Sequence, residues 1–190
     1  MGVLVRFDSD GAWQDTWVCD ALITKTLARE GVAWGRWPLR ALPERGVVGV
    51  LEAYADELAA LKSKFQAHAV DRLRLDSADA HWPGLRQQLL VEETHPSAEV
   101  RIFLAGAGLT YLRIEGGYLA LLCEAEEWVL LPAGKRHWFD AGDAPNLDML
   151  RLFDGPASGI DRSTDARPLS LPLFDEFVET MLELTGHEAD

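Results

Sequence analysis

The sequence predicts a mainly β protein (α+β) in which helices at both ends flank a small antiparallel barrel or jelly roll. Short segments rich in β-branched and aromatic residues, separated by turn residues, follow one another between residues 91 and 155. Before them, apolar residues recur at alternating intervals of four and three, as on one face of a helix. A second amphipathic stretch follows them near the C-terminus. Several short strands at this spacing are typical of barrels and jelly rolls.

The chain has 190 residues, which suits one domain with a substantial core. We predict a single domain with an N-terminal strand and helices (1–90), a barrel core with the functional site (91–155) and a C-terminal extension (156–190). With 18 basic and 31 acidic residues, the net charge is −13. Nucleic acids and anionic membranes attract positive surfaces, so neither is an expected partner.

Three further features predict a cytoplasmic protein. No apolar run approaches the roughly 18 residues of a membrane span. The N-terminus has no basic segment followed by a long apolar stretch, so no signal peptide is expected. The two cysteines, Cys19 and Cys123, lie far apart and form no disulfide framework or metal-ligand pair.

The N-terminal part is predicted to contain one strand and three helices. Val3, Val5 and Phe7 alternate with other residues, which predicts the strand. A helix is predicted over Asp15–Glu30, closed by a glycine, and a short one ends near Leu90. The strongest helical periodicity runs from 47 to 65 and consists of Val47, Leu51, Tyr54, Leu58, Leu61 and Phe65.

The barrel strands are predicted from alternating or continuous apolar stretches between turns. They are Val100–Leu104, Leu109–Ile114, Tyr118–Cys123, Trp128–Leu131 and Leu147–Phe153. The sequence Glu115-Gly116-Gly117 predicts a tight hairpin, because glycine tolerates a positive φ. The segment Leu171–Thr185 is predicted to be a helix packed on the outside of the barrel.

Two stretches around histidines carry candidate metal ligands. In the first, Glu93 and His95 are two residues apart and so face the same side of an extended strand. Glu99 follows after a Pro-Ser turn and can return to the same point. In the second stretch, a Pro-Ala-Gly turn precedes His137 at the start of a strand. If the two stretches pair across the barrel, His95, Glu99 and His137 converge.

Two imidazoles and one carboxylate form the facial ligand set that suits non-haem Fe(II) and leaves positions open for substrate and O₂. Glu93 is then a fourth ligand or an acid beside the ligands. A single histidine in a β protein is more commonly a packing residue, and the joint spacing is what favours a metal site. The other histidines are expected at the surface: His68, His81 and His187.

Several motifs resemble those of the acireductone dioxygenases, a family within the cupin superfamily. They are Glu99-Val100-Arg101, Ala105–Leu109, Pro132-Ala133-Gly134 with His137-Trp138-Phe139-Asp140, and Arg151-Leu152-Phe153. The stretch Gly31–Trp37 and the helix through Tyr54 also resemble that family, so the likeness covers about residues 1–155. The fold that it implies is the cupin double-stranded β-helix.

The resemblance implies a metal-dependent dioxygenase, an oxidoreductase that cleaves the enediol acireductone of methionine salvage with O₂. Fe(II) is the expected ion, with Ni(II) or Mn(II) as alternatives. In that family iron yields a 2-keto acid and formate, whereas nickel yields a shorter acid, formate and carbon monoxide. The expected partners are a small anionic substrate and O₂, and the expected state is a monomer or a weak homodimer.

The family's motifs also imply roles for individual positions. They imply that the metal ligands include His95, Glu99 and His137. They imply that Arg101 steadies the enediolate, while Phe139 and Arg151 line the pocket. The alternative for both arginines is an ordinary surface charge on a strand.

The sequence departs from the family in two places. The first histidine of the family's ligand motif is Glu93 here, which lowers the charge of the site by one and hardens it toward Fe or Mn and away from Ni. The Gly-Trp pair that follows the Arg-Leu-Phe motif in the family is absent after Phe153. An aromatic wall over the substrate would therefore come from elsewhere, for example from Trp138 or Trp128.

Two other functions remain open at this stage. Both departures are consistent with a diverged cupin metalloenzyme that acts on another small anion, such as a thiol, an amino acid or a keto acid. A cupin that binds a ligand without turnover is the third hypothesis. Metal content separates the third hypothesis from the others, and enediol consumption separates the first from the second.

Overall fold

The structure is a computed structural model that describes residues 2–38, 40, 47–65, 67, 69–155, 160–162 and 170–185. Within these residues the strands are β1 (Val3–Asp8), β2 (Trp13–Trp17), β3 (Ala33–Arg36), β4 (Ala69–Asp76), β5 (Glu93–Thr94), β6 (Glu99–Ala105), β7 (Ala107–Ile114), β8 (Gly117–Glu124), β9 (Glu127–Leu131), β10 (His137–Asp140), β11 (Asn146–Phe153) and β12 (Asp161–Arg162). The helices are α1 (Asp20–Ala28), α2 (Val47–Ala53), α3 (Ala55–Phe65), α4 (Trp82–Leu89) and α5 (Phe174–Thr185).

The strands form two antiparallel sheets that face each other. One sheet has the order β12-β5-β10-β7-β8-β1-β2, and the other has the order β3-β9-β6-β11-β4. The inner faces enclose a core that includes Leu4 and Leu121 from the first sheet and Phe103, Val129 and Met149 from the second. The predicted β-rich jelly roll is therefore confirmed.

Helices cover the outer faces of both sheets. The helix α5 packs Phe177 and Met181 against the outer face of the first sheet, where Val5 and Tyr111 lie. The helices α2 and α3 cover the second sheet with apolar residues such as Val50 and Leu58, and the fully buried Tyr54 lies between the two helices. None of the helices in the described part of the chain is both long and apolar enough to cross a membrane.

The N-terminal ninety residues contribute more strands than the sequence predicts. The predicted helix from Asp15 is wrong at its start, since Trp13–Trp17 form β2 and the helix begins at Asp20. The predicted helix over 47–65 is divided at Tyr54 into α2 and α3. The strands β3 and β4 join the second sheet, so the barrel draws on residues well before the predicted core of 91–155.

The hairpin between β7 and β8 forms where the sequence predicts it. Gly116 has a φ of 75°, in the region that favours glycine. A Cβ on Gly117 would lie 2.1 Å from the carbonyl oxygen of Phe7, so the neighbouring strand also requires glycine there. The hairpin places Ile114 opposite Gly117, and the other edge of β7 pairs Leu112 with His137 on β10.

Candidate metal centre

Three short strands at one edge of the first sheet bring functional side chains into a row. Glu93 on β5 lies opposite His137 on β10 and, on its other side, opposite Arg162 on β12. Residues that lie opposite each other in a sheet project to the same face. His95 directly follows β5, and its carbonyl oxygen accepts a hydrogen bond from the backbone N–H of Gly134 at 2.8 Å. This bond ties the two predicted stretches together.

Glu93, His95 and His137 form a compact group of potential metal ligands. Each offers a donor atom, and these atoms lie within 4.8 Å of one another. The imidazole rings of the two histidines are 5.2 Å apart between centroids and nearly parallel. All three residues are at least nine-tenths buried, with exposed fractions of 7%, 8% and 2%. The two stretches therefore bring His95 and His137 together, with Glu93 rather than Glu99 as the carboxylate of the compact group.

His137 has the tautomer that a metal ligand needs. Its Nδ1 lies 2.8 Å from the carbonyl oxygen of Lys135, to which it donates, so Nε2 carries the lone pair. Burial, aided by the positive charge of Arg101, lowers the pKa of His137 to about 4. The imidazole is therefore neutral near pH 7, with Nε2 directed into the barrel.

Arg101 on β6 connects the histidine to the predicted carboxylate ligand. Its Nη2 donates to Oε2 of Glu99 at 2.9 Å and lies 3.1 Å from Nε2 of His137. Burial alone would raise the pKa of Glu99, but the charge and hydrogen bond of Arg101 outweigh it and lower that pKa to about 2. Glu99 is thus ionised, and it is paired with Arg101 outside the compact group.

Glu93 is also ionised in this environment. Burial opposes its charge, yet the hydrogen bond from Nε2 of His95 at 3.2 Å and the nearby positive groups outweigh burial, so the pKa of Glu93 is lowered. Its other oxygen lies 3.8 Å from Nε of Arg162. Glu93 therefore faces His95 and His137 rather than pointing away from them.

Several polar atoms around this group have no hydrogen-bond partner among the described residues. They are buried and belong to the residues already named: Nδ1 of His95, Oε1 of Glu99, and Nε and Nη1 of Arg101. Buried polar atoms are normally satisfied, so this concentration indicates a place for a bound ion, water or ligand. Two imidazoles with one or two carboxylates fit Fe(II), Mn(II) or a similar divalent ion.

The predicted substrate residues differ in where they lie. Phe139 is on the same face of β10 as His137, and its ring centre lies 5.3 Å from the guanidinium carbon of Arg101. Arg151 on β11 is directly opposite Arg101 across the sheet. It pairs with Asp71 through contacts of 2.9 and 2.6 Å. Phe139 on the first sheet therefore lies close to Arg101 on the second sheet, and Arg151 lies beside Arg101 in that second sheet.

The structure does not bring Trp138 to the site. Trp138 stacks on Tyr111 at 4.9 Å on the outer face of the first sheet, under α5. Adjacent residues in a strand face opposite sides, so the neighbour of an inward-facing His137 must point outward. Trp128 likewise packs against Phe65 at 5.7 Å on the outer face of the second sheet. Neither tryptophan can form the aromatic wall suggested by the sequence.

Three residues near the site are not predicted by the sequence analysis. Glu92 is buried and pairs with Arg113 and Arg136, each at 2.6 Å, which anchors the strand that carries Glu93. Asp71 and Arg162 come from β4 and β12, two strands that the analysis missed. The pair of acidic residues before Thr94 was visible in the sequence, but nothing in the sequence indicated these two strand pairings.

The remaining histidines are not part of the site as far as the structure describes them. The side chain of His81 is 96% exposed, as expected. His68 and His187, predicted at the surface, lie outside the described residues.

The combination of a two-sheet jelly roll and inward-facing imidazole and carboxylate donors defines a protein of the cupin class. A solved structure of an acireductone dioxygenase from Bacillus anthracis, which holds a cadmium ion in its active centre, has the same fold. It matches with a TM-score of 0.73 at 19% identity and covers 83% of this chain and 95% of that one. The predicted cupin fold is thereby confirmed.

The chain belongs to the ARD/ARD′ family, whose family model matches residues 50–161. Acireductone dioxygenase from Marinobacter nauticus is 40% identical over 70% of this chain and 73% of its own length. The enzyme of the same name from Pseudomonas paraeruginosa is 40% identical over 81% of this chain and 87% of its own length. These relatives confirm the predicted family resemblance and the prediction of a metal-dependent dioxygenase, an oxidoreductase that uses O₂ and a small-molecule substrate.

Proposed function

We propose that this protein cleaves an acireductone, an enediol, with O₂ at a divalent metal ion held inside the barrel. The relatives named above supply the substrate class, since each carries the name acireductone dioxygenase. The single observation that best supports the proposal is the compact group of Glu93, His95 and His137 next to Arg101. The reaction yields a 2-keto acid and formate when the ion is iron, and methionine salvage is the proposed pathway.

The proposed ligands are His95, His137, Glu99 and Glu93, and the proposed ion is Fe(II), with Mn(II) next and Ni(II) less suited. When bound, the ion polarises the two enediol oxygens and brings the substrate together with O₂. Oε1 of Glu99 and Nδ1 of His95 support this set, because both atoms can bind a metal and both are buried without a hydrogen-bond partner among the described residues. The second carboxylate favours the harder ions.

Arg101 and Arg151 give the site its means of holding an anionic substrate. Two nitrogen atoms of Arg101, Nε and Nη1, are buried and have no hydrogen-bond partner among the described residues, so each can donate to a substrate oxygen. Arg151 adds a second positive charge on the same wall, held by Asp71. Phe139 closes one side and excludes water from the oxygens that Arg101 binds. Orientation of the substrate between these groups is the main work of the protein.

A second candidate function is oxygenation of a different small anion by the same site. It is favoured by Glu93, which stands where the family's motif has histidine, and by the outward direction of Trp138 and Trp128. Without an aromatic wall from these residues, the site has less apolar surface to contact the methylthio tail of the family's acireductone substrate. A thiol, an amino acid or a keto acid fits the same pair of arginines. A cupin that binds its ligand without turnover is the remaining alternative.

We propose that the chain acts as one cupin domain over residues 1–190 in the cytoplasm, as a monomer or a weak homodimer. The N-terminal strands β1 to β4 enter the same two sheets as the later strands, which supports one domain. The net charge of −13 supports the proposal that nucleic acids and membranes are not partners.

The test begins with metal-free protein that is loaded anaerobically with one equivalent of Fe(II) and then given acireductone and O₂. Loss of the enediol absorbance with formation of formate supports the proposal. His137→Ala and Glu99→Ala are expected to remove tight metal uptake, and Glu93→Ala is expected to weaken it less. Stoichiometric metal without enediol consumption contradicts the acireductone proposal and favours another anion. Equal metal content in all variants contradicts the ligand set.

A further inference from the structure

The carboxylate of Glu93 has a cationic neighbour from the C-terminal part of the chain. Arg162 on β12 lies directly opposite Glu93 on β5, and its Nε is 3.8 Å from Oε2 of Glu93. The other oxygen, Oε1, lies 3.2 Å from Nε2 of His95. Glu93 is therefore flanked by the ligand group on one side and by Arg162 on the other.

We propose that Arg162 compensates the charge of Glu93 and thereby sets how strongly the metal-loaded site attracts an anionic substrate. This inference rests on the proposed metal site. A divalent ion with one carboxylate and neutral imidazoles carries a local charge of +1, and a second carboxylate from Glu93 reduces it to zero. Arg162 restores the positive charge at the same position. An anionic substrate then meets a site as attractive as one with three imidazoles.

The placement of Arg162 suits this role. The side chain of Arg162 is 49% exposed, whereas the side chain of Glu93 is 8% exposed, so the arginine lies at the mouth of the site. The strand register directs it to the same face as Glu93 and His137. Nε of Arg162 and Oε2 of Glu93 are 3.8 Å apart, which is beyond a normal hydrogen bond, so the two residues interact through their charges. The expected effects are therefore moderate and depend on salt.

Charge compensation predicts opposite changes in two measurable affinities. Without the positive charge of Arg162, the site attracts a divalent cation more strongly and an anion less strongly. A role for Arg162 in orienting Glu93 predicts instead that metal affinity falls, as is usual when a group behind a ligand is removed. A purely structural role predicts that both affinities fall or that neither changes. The sign of the two changes therefore distinguishes these roles.

The experiment measures Mn(II) affinity by the EPR signal of free Mn(II), and malonate affinity by titration into Mn(II)-saturated protein. Malonate is a chelating dianion and stands in for the substrate class. For Arg162→Gln we expect Mn(II) binding to be about three- to tenfold tighter and malonate binding to be weaker by a similar factor. Both shifts should shrink at 0.5 M salt, because the Debye length is then only about 4 Å. Arg162→Lys keeps the charge and is expected to match the original protein.

A double substitution tests whether the two residues compensate each other. Glu93→Gln is expected to strengthen malonate binding at saturating Mn(II), and Arg162→Gln to weaken it. Because the double variant has the original net charge, its malonate affinity should return to within about twofold of the original value. A double variant that resembles either single variant overturns the proposal.

Arg74→Gln is a matched control, since Arg74 also forms an ion pair of 3.8 Å, with Asp148, and is 58% exposed. It changes the net charge equally but is on β4, away from the candidate site. We expect no shift in either affinity. Equal shifts for Arg74→Gln and Arg162→Gln overturn the proposal in favour of an effect of net charge.

If the original protein binds no Mn(II), the proposed function fails as well. Normal Mn(II) binding without the opposite shifts overturns this inference alone.

Discussion

The Nη2 atom of Arg101 lies 3.1 Å from Nε2 of His137 and 2.9 Å from Oε2 of Glu99. One guanidinium nitrogen therefore joins two residues that are proposed to bind the same ion. This contact explains why Glu99 is ionised although it is only 1% exposed. It also makes Arg101 part of the stability of the metal-free protein as well as part of the proposed substrate site.

Arg101→Met is expected to destabilise the metal-free protein by about 3 kcal/mol, because it leaves the buried carboxylate of Glu99 without its cation. Urea unfolding of chelator-treated protein measures this loss. The loss should be smaller with Mn(II) bound, since the ion then supplies the positive charge. Arg151→Met is the control, because its partner Asp71 is 46% exposed and the expected loss is at most about 1 kcal/mol. Equal losses in the two variants would contradict this reading of the contact.

Glu93→His is expected to change the metal preference of the site. An imidazole in place of a carboxylate favours Ni(II) over Mn(II), and we expect the ratio of their affinities to rise at least about tenfold. Competition dialysis with both ions measures this ratio. Glu115→His, in the exposed hairpin, is the control and should leave the ratio unchanged. Glu93→His should also raise the rate of acireductone cleavage, and an unchanged rate would favour a different substrate.

Asp140→Ala is expected to destabilise the fold by about 3 kcal/mol, because it removes the buried carboxylate of Arg86 and leaves this arginine with the exposed Asp143 and Asp175. Asp140 is 1% exposed. It accepts hydrogen bonds from Arg86 at 2.7 and 2.8 Å and from the backbone N–H of Phe174 at 2.9 Å. These bonds join β10, which carries His137, to α4 and α5.

Urea unfolding of Asp140→Ala measures the loss. Asp20→Ala is its control, since Asp20 pairs with Arg36 while both side chains are about half exposed, at 51% and 42%. The expected loss there is at most about 1 kcal/mol. A small loss for Asp140→Ala would show that the links between β10 and the two helices contribute little.

The sequence predicted the strands whose apolar residues alternate or run continuously, such as β7 and β8, because both faces of these strands are covered. It missed β4, whose eight residues include only one buried side chain, that of Leu75. It also missed β2, whose side chains are exposed or half-buried. Such strands are held by backbone pairing with a neighbour, and hydrophobic periodicity does not report that pairing.

For the site, local spacing was sufficient to identify His95 and His137 as potential ligands that converge. The prediction for Trp138 failed because the two faces of a strand were not assigned, although its position next to His137 already required the opposite face. Arg162 could not be predicted, because its position depends on a long-range pairing of two-residue strands. The roles of His95, His137, Glu99 and Glu93 as ligands stay predictions.

Glu127 is expected to make the stability of the fold depend on pH. It is fully buried, and burial raises its pKa although the backbone N–H of Glu124 and the Arg36 guanidinium oppose this. A carboxyl with a raised pKa holds its proton more tightly in the folded state than in the unfolded state. Its contribution to stability is therefore largest at low pH and falls as the pH rises from about 4 through the raised pKa.

The measurement compares urea unfolding of the original protein and Glu127→Gln at several values between about pH 4 and pH 8. The free energy of unfolding of the original protein, minus that of the variant, should fall as the pH rises. Other titrating groups are common to both proteins and cancel in this difference. A difference that rises with pH would mean that Arg36 and the backbone donors outweigh burial.

The ring of Phe139 lies directly against Gly108, and Gly108→Ala is expected to affect both the stability of the fold and the candidate site. A Cβ at this position would lie 2.4 Å from Cζ of Phe139 and 3.2 Å from Cε1 of Phe103. The ring of Phe139 must then shift, and Arg101 is 5.3 Å from its centre. We expect a loss of about 1–3 kcal/mol in urea unfolding and weaker malonate binding at saturating Mn(II).

Gly84→Ala in α4 is the matched control, because a Cβ there meets no atom within 4 Å. It replaces glycine by the best helix former and should stabilise the protein by up to about 1 kcal/mol, with malonate affinity unchanged. If Gly108→Ala unfolds at the same urea concentration as Gly84→Ala, the ring of Phe139 is free to move. If Gly108→Ala loses stability but retains malonate affinity, Phe139 does not limit the space in which Arg101 binds an anion.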